Sequence, residues 1–104
     1  MRFLREDEKA FLTRLFQVTN KLNTNLDLLK VEDMKDGEMG SLYFVTPVKT
    51  ISERRMGKCI SGMQFTDNDN ILVLVSLNVD EDDELFELDI WKTDFSPLIQ
   101  LPKY

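Results

Sequence analysis

The sequence predicts an α+β domain: an N-terminal helix packed on a mainly antiparallel sheet of about five strands. Three observations lead there. Residues 5–22 place apolar side chains three and four positions apart, the spacing of one helix face. Five later stretches, 26–34, 41–46, 58–66, 71–79 and 84–91, are short, apolar or alternating, and bounded by turn residues. The last three are joined by connections of four residues, 67–70 and 80–83, too short for the crossover that a parallel pair requires.

In the helix, Leu4, Phe11, Leu12, Leu15, Phe16 and Leu22 form the apolar stripe, with Val18 at its edge. Glu6, Asp7 and Glu8 sit in the first turn, where carboxylates favour the positive helix end, and Lys21 lies near the other. Asn20, Asn23 and Asn25 mark the exit. A lone amphipathic helix must bury this stripe, so the aromatics read as core.

The stretch 26–34 alternates imperfectly, whereas 41–46, SLYFVT, is rich in aromatic and β-branched residues. Between them, Asp36-Gly37 signals a turn, and Gly40 adds a second glycine suited to a bulge or close approach. Gly37 or Gly40 is expected at positive φ, with Asp36 or Ser41 tying the loop's backbone. Pro47 ends this strand.

The following connection holds Lys49, Arg54, Arg55 and Lys58. No glycine-rich cradle accompanies it, so its arginines are expected to pair with the acidic second half. In 58–66, Cys59, Ser61, Met63 and Phe65 share a parity, and Cys59 reads as a small buried filler. Asp67-Asn68-Asp69-Asn70 resembles the start of a calcium loop, but lacks the glycine and distant glutamate; a hairpin turn explains it better. The strand 71–79 opens with five apolar residues, which implies cover on both faces. In 84–91, Phe86, Leu88 and Ile90 should face the core, and Leu85, Glu87, Asp89 and Trp91 should face out. The tail carries Leu98, Ile99 and Leu101 between Pro97 and Pro102, and is expected to dock. The expected core is Leu15, Phe16, Phe44, Val73, Val75, Phe86 and Leu88.

Length and composition limit the chemistry. The 104 residues make one domain, with a net charge of −6, one cysteine and no histidine. This excludes an intramolecular disulfide, multi-cysteine zinc sites, and Ser-His-Asp or Cys-His catalysis within the chain. No apolar segment is long enough to span a membrane, and no signal-peptide core is present, so a cytoplasmic location is expected. Residues 1–64 carry +2 and residues 65–104 carry −8. That acidic half disfavours nucleic acid, which needs clustered Lys and Arg, and suits a basic partner.

The runs DMKDGEMGSLYF and ELFELDIWKTDFSPL resemble a family of small bacterial proteins, the DUF6984 domain of unknown function. The resemblance covers nearly the whole chain and is most specific at Asp36-Gly37, Met39-Gly40-Ser41 and Asp89-x-Trp91-Lys92. The family often has glycine where this chain has Glu38. The resemblance implies no particular activity.

Two functional expectations follow. The first is a non-catalytic interaction module, immunity-like or antitoxin-like, that covers a basic protein through Leu85, Glu87, Asp89, Trp91 and Asp94. Asp36, Gly37, Met39, Gly40 and Ser41 then form a structural loop, with no catalytic residue, cofactor or metal assigned. Against this stands a tail that folds Leu98 and Leu101 over Trp91 and makes it structural. The second is a carboxylate- or divalent-metal-dependent enzyme in which Asp33, Asp36 and Glu38 meet Asp80, Asp82 or Asp89.

Overall fold

The computed structural model describes residues 1–103. Strand β1 (Arg2–Phe3) is followed by helix α1 (Glu6–Phe16) and then by β2 (Lys30–Asp33), β3 (Leu42–Phe44), β4 (Met56–Thr66), β5 (Leu72–Asp80) and β6 (Leu85–Lys92). They form one six-stranded sheet in the order β1-β2-β3-β6-β5-β4, with every neighbouring pair antiparallel. The α+β expectation holds, with one more strand than the five expected. The addition is β1, which pairs Arg2 with Val31 and Phe3 with Lys30.

Arg2 explains how so short a strand is held. Its guanidinium bonds both carboxylate oxygens of Glu8 at 2.7 and 2.8 Å and both of Asp33 at 2.8 and 3.0 Å. It thereby ties β1 to α1 and β2. Glu8 also accepts the Arg5 N–H at 2.8 Å, satisfying a donor at the helix start. The helix ends at Phe16 rather than near residue 22. There the Thr19 N–H and hydroxyl both bond the Phe16 carbonyl, and Val18 and Leu22 are exposed. The first part of 26–34 is likewise not strand. Leu26–Leu28 is a 3-10 turn whose start is capped by the Asn25 side chain, which accepts the Asp27 N–H at 3.0 Å.

Helix α1 covers one face of the sheet. Phe11, Leu12, Leu15 and Phe16 join Val31, Leu42, Phe44, Val75, Leu77, Leu88 and Ile90 in the main core. All seven expected core residues are buried. Phe86, however, lies outside the main cluster, against Tyr43 at 5.6 Å and under the Arg54 guanidinium at 4.8 Å. The expected pairing of the basic connection with the acidic half is present. Arg54 is buried, bonds Asp80 at 2.8 Å, and donates to the Phe44 and Leu85 carbonyls, while Lys49 pairs with Asp82 at 2.8 Å.

Register irregularities correct three expectations. A shift between Cys59 and Ser61 on β4 turns Cys59 outward, so it is exposed rather than a buried filler. A shift opposite Asn78 and Val79 leaves both Leu85 and Phe86 buried, so Leu85 joins the core and not the outer face. Strand β5 is also not covered on both faces: Val73 is fully buried, but Leu72 stays 40% exposed.

Candidate functional site

The face opposite α1 is set by alternation. Leu42 pairs with Leu88 and Val75 with Ile90 on the core side, so Tyr43, Glu87, Asp89, Trp91, Ser76 and Leu74 project from the other. Trp91 sits opposite Leu74, Asp89 opposite Ser76, and Glu87 opposite Asn78 on one side and Tyr43 on the other. Trp91 is 40% exposed. Its ring lies 5.9 Å from that of Phe95, which is 67% exposed at the end of the turn that leaves β6.

The polar groups around this aromatic pair have few charge partners. Glu87 accepts from the Asn78 side-chain amide at 2.9 Å, whereas the Asn78 carbonyl oxygen, although buried, has no hydrogen-bond partner. The Asp89 carboxyl is pushed above the ordinary range, first by partial burial and then by the charge of Asp36, with a hydrogen bond from Ser41 opposing. Asp94 is engaged locally, accepting from the Ser96 N–H and hydroxyl at 3.0 and 2.6 Å. Among the described residues, Glu87, Asp89, Asp94 and Asp36 make no ion pair.

The loop before β3 is docked against this region. Asp36 accepts the Met39 and Ser41 N–H groups at 3.2 and 3.0 Å, closing the turn on itself. Gly37 and Gly40 have φ of 75° and 100°, and Glu38 between them has φ of 63°. A Cβ at Gly40 would lie 3.3 Å from Leu98 and 3.4 Å from Ile90, so glycine also permits the close approach. The buried Ser41 hydroxyl accepts from the Ile90 N–H at 2.8 Å and donates to its carbonyl at 3.1 Å. The Met39 sulfur accepts the Lys92 N–H at 3.4 Å. Arg5, Asp7, Asp33, Lys35 and Leu98–Leu101 complete an open cleft of about 630 Å³ along the other side of this loop.

The family model for the domain of unknown function DUF6984 matches residues 1–102. The chain belongs to this family. No curated protein and no solved structure matches it.

In this DUF6984 domain the carboxylates expected to converge on a metal are separately engaged. Asp33 pairs with Arg2, Asp80 with Arg54 and Asp82 with Lys49, while Asp36 holds backbone N–H groups. No three Asp, Glu or Cys side chains group as a metal-ligand set among the described residues.

Sequence reasoning missed the residue that routes the tail. Lys92 is fully buried, and its ammonium donates to Asp67 at 2.9 Å, Asp69 at 2.6 Å and the Pro97 carbonyl at 3.1 Å. Asp67 also accepts the Ile99 and Gln100 N–H groups at 2.8 and 3.2 Å. Leu98 and Leu101 consequently pack against the main core. The signal was available: Lys92 continues the inward parity of Leu88 and Ile90, and the 67–70 turn supplies carboxylates.

Proposed function

We propose that this domain is a non-catalytic interaction module that binds a basic protein segment on the outer face of β6. The observation that carries the reading is Trp91, 40% exposed on an uncovered sheet face beside the exposed Phe95. An exposed aromatic pair supplies apolar contact area, and tryptophan is a preferred anchor at interfaces. Around it, Glu87, Asp89 and Asp94 lack cations of their own, and Asp36 adds its charge beside Asp89. A carboxylate pair kept at mutual repulsion would gain from an incoming Lys or Arg, and opposite charge would speed encounter. Leu85 has no part in this surface, because it is buried. The proposal retains an immunity-like bacterial protein acting in the cytoplasm, supported by the −8 charge of residues 65–104.

The test uses Trp91→Ala, Glu87→Lys and Asp89→Lys, with melting temperature and yield of captured partner measured on each. Expected is near-wild-type melting for all three, loss of capture for Trp91→Ala, and slower, salt-dependent association for the two lysine variants. Since Trp91 is the only tryptophan, its emission should also shift when the captured partner is added back. A large melting loss at Trp91→Ala, together with unchanged capture by both lysine variants, would remove the surface.

A further inference from the structure

We infer that the domain pairs with a second copy of itself through the free edge of β4, joining two sheets into one across a two-fold axis. The two ends of the sheet are built differently. At one end β1 is two residues long and Arg2 is occupied by Glu8 and Asp33, so the edge is short and its charge spent. At the other end β4 runs for eleven residues with a single charged side chain, Lys58, and no strand beyond it among the described residues. A long, nearly uncharged edge offers a row of unpaired N–H and C=O groups to another strand. The register shifts that blunt such edges lie in the first part of β4, before Ser61. From Ser61 to Thr66 the strand is regular and carries no charge.

Two features select a second copy as the occupant. Met63 and Phe65 pack against the main core from its margin and stay only partly buried, because nothing lies beyond them. A two-fold axis normal to the sheet keeps α1 on the same side in both copies, so this row meets its own counterpart and both are covered. The charges are self-complementary as well. Arg55 and Lys58, exposed and without an ion pair, sit at the start of β4, and Asp69, with its carboxylate 36% exposed, sits in the turn just after its end. Antiparallel pairing sets the basic end of each copy beside the acidic turn of the other, twice per dimer. Two-fold pairing consumes both β4 edges and leaves only the short β1 edges, so the assembly closes as a dimer. The outer faces bearing Trp91 remain free, and on the same side.

Sedimentation equilibrium across protein concentrations up to about 1 mM tests the inference. Expected is a reversible shift from 12.2 kDa to twice that mass, with concentration-dependent protection of β4 backbone amides from hydrogen exchange. Gln64→Lys with Thr66→Lys, both at exposed positions on the regular stretch, should raise the dissociation constant at least about tenfold at unchanged melting temperature of the monomer. Arg55→Glu with Lys58→Glu should weaken the dimer most at low salt, and Trp91→Ala should leave it intact. A monomer at all concentrations, a dimer indifferent to the edge variants, a dimer abolished by Trp91→Ala, or open-ended assemblies would each overturn the inference.

Discussion

Replacing Lys92 by methionine removes the charge at the tail clip and keeps most of the stem. The ammonium makes three hydrogen bonds, at 2.9, 2.6 and 3.1 Å, from a fully buried position. In the variant Asp67 stays buried beside an apolar side chain, but still accepts N–H groups from Asn68, Ile99 and Gln100. Breaking a buried pair by removing one partner typically costs about 3–5 kcal/mol. The three backbone donors soften that loss, so we expect about 2–4 kcal/mol. For a domain of this size each kcal/mol lowers the melting temperature by roughly 4–8 °C. Urea denaturation at pH 7 reads the change as a lower midpoint at a preserved slope. Adding Asp67→Asn to Lys92→Met removes the stranded carboxylate, and the double variant should be more stable than the sum of the two single losses predicts. A single-variant loss under about 1 kcal/mol, or strict additivity, would show that the clip is not a coupled buried pair.

Asp89→Asn should leave the domain as stable or raise it by up to about 0.5 kcal/mol at pH 7, because a largely exposed carboxylate repelled by Asp36 is screened yet still unfavourable. Its gain should vanish as pH falls and the wild-type carboxyl protonates; destabilisation at neutral pH in a urea melt would contradict this. Glu38→Gly should be neutral to about 1 kcal/mol stabilising, since relief of the left-handed backbone at φ 63° offsets glycine's entropy; a loss in the same assay would mean that the Glu38 side chain contributes. Burial alone would raise the Asp67 and Asp80 carboxyls, but the Ile99 N–H and Lys92 at the first and Arg54 at the second outweigh it and hold both below the ordinary range. The unfolded chain therefore binds more protons near pH 4, so stability should be level above about pH 5 and fall below about pH 4. A urea midpoint constant down to about pH 2 would refute this linkage.

The hairpins β4–β5–β6 were legible because alternation and four-residue turns act locally. Errors arose where one residue changed the parity. The shift before Ser61 reversed Cys59, and the shift opposite Asn78 and Val79 let Leu85 and Phe86 both turn inward. Helix length was overestimated because Val18 and Leu22 continue the stripe in sequence while the chain has already turned. Strand β1 has only two residues, too few for any period, and its anchor Arg2 is recognisable only once Glu8 and Asp33 are brought together. Within the candidate surface, parity placed Glu87, Asp89 and Trp91 on one face, whereas the approach of Asp36 to Asp89 is tertiary.

The exposure of Trp91 depends on the buried charges behind it. Residues 96–103 carry Leu98, Ile99 and Leu101, enough apolar surface to cover an indole. The path is decided at Lys92, one residue after the tryptophan and of opposite parity. Its ammonium, with Asp67, captures Pro97, Ile99 and Gln100, and the Leu98 N–H bonds the Glu38 carbonyl at 3.0 Å. Leu98 then fills the space that Gly40 leaves beside Ile90. Each contact pulls the tail toward the core side, and the turn after Lys92 leaves only Phe95 beside the indole. A lysine buried with two aspartates is costly to desolvate, and an apolar trio there would pack as well or better. An apolar replacement would not take three backbone groups of the tail in a fixed direction. The clip thus contributes direction as well as stability, and the outer face stays open because of it.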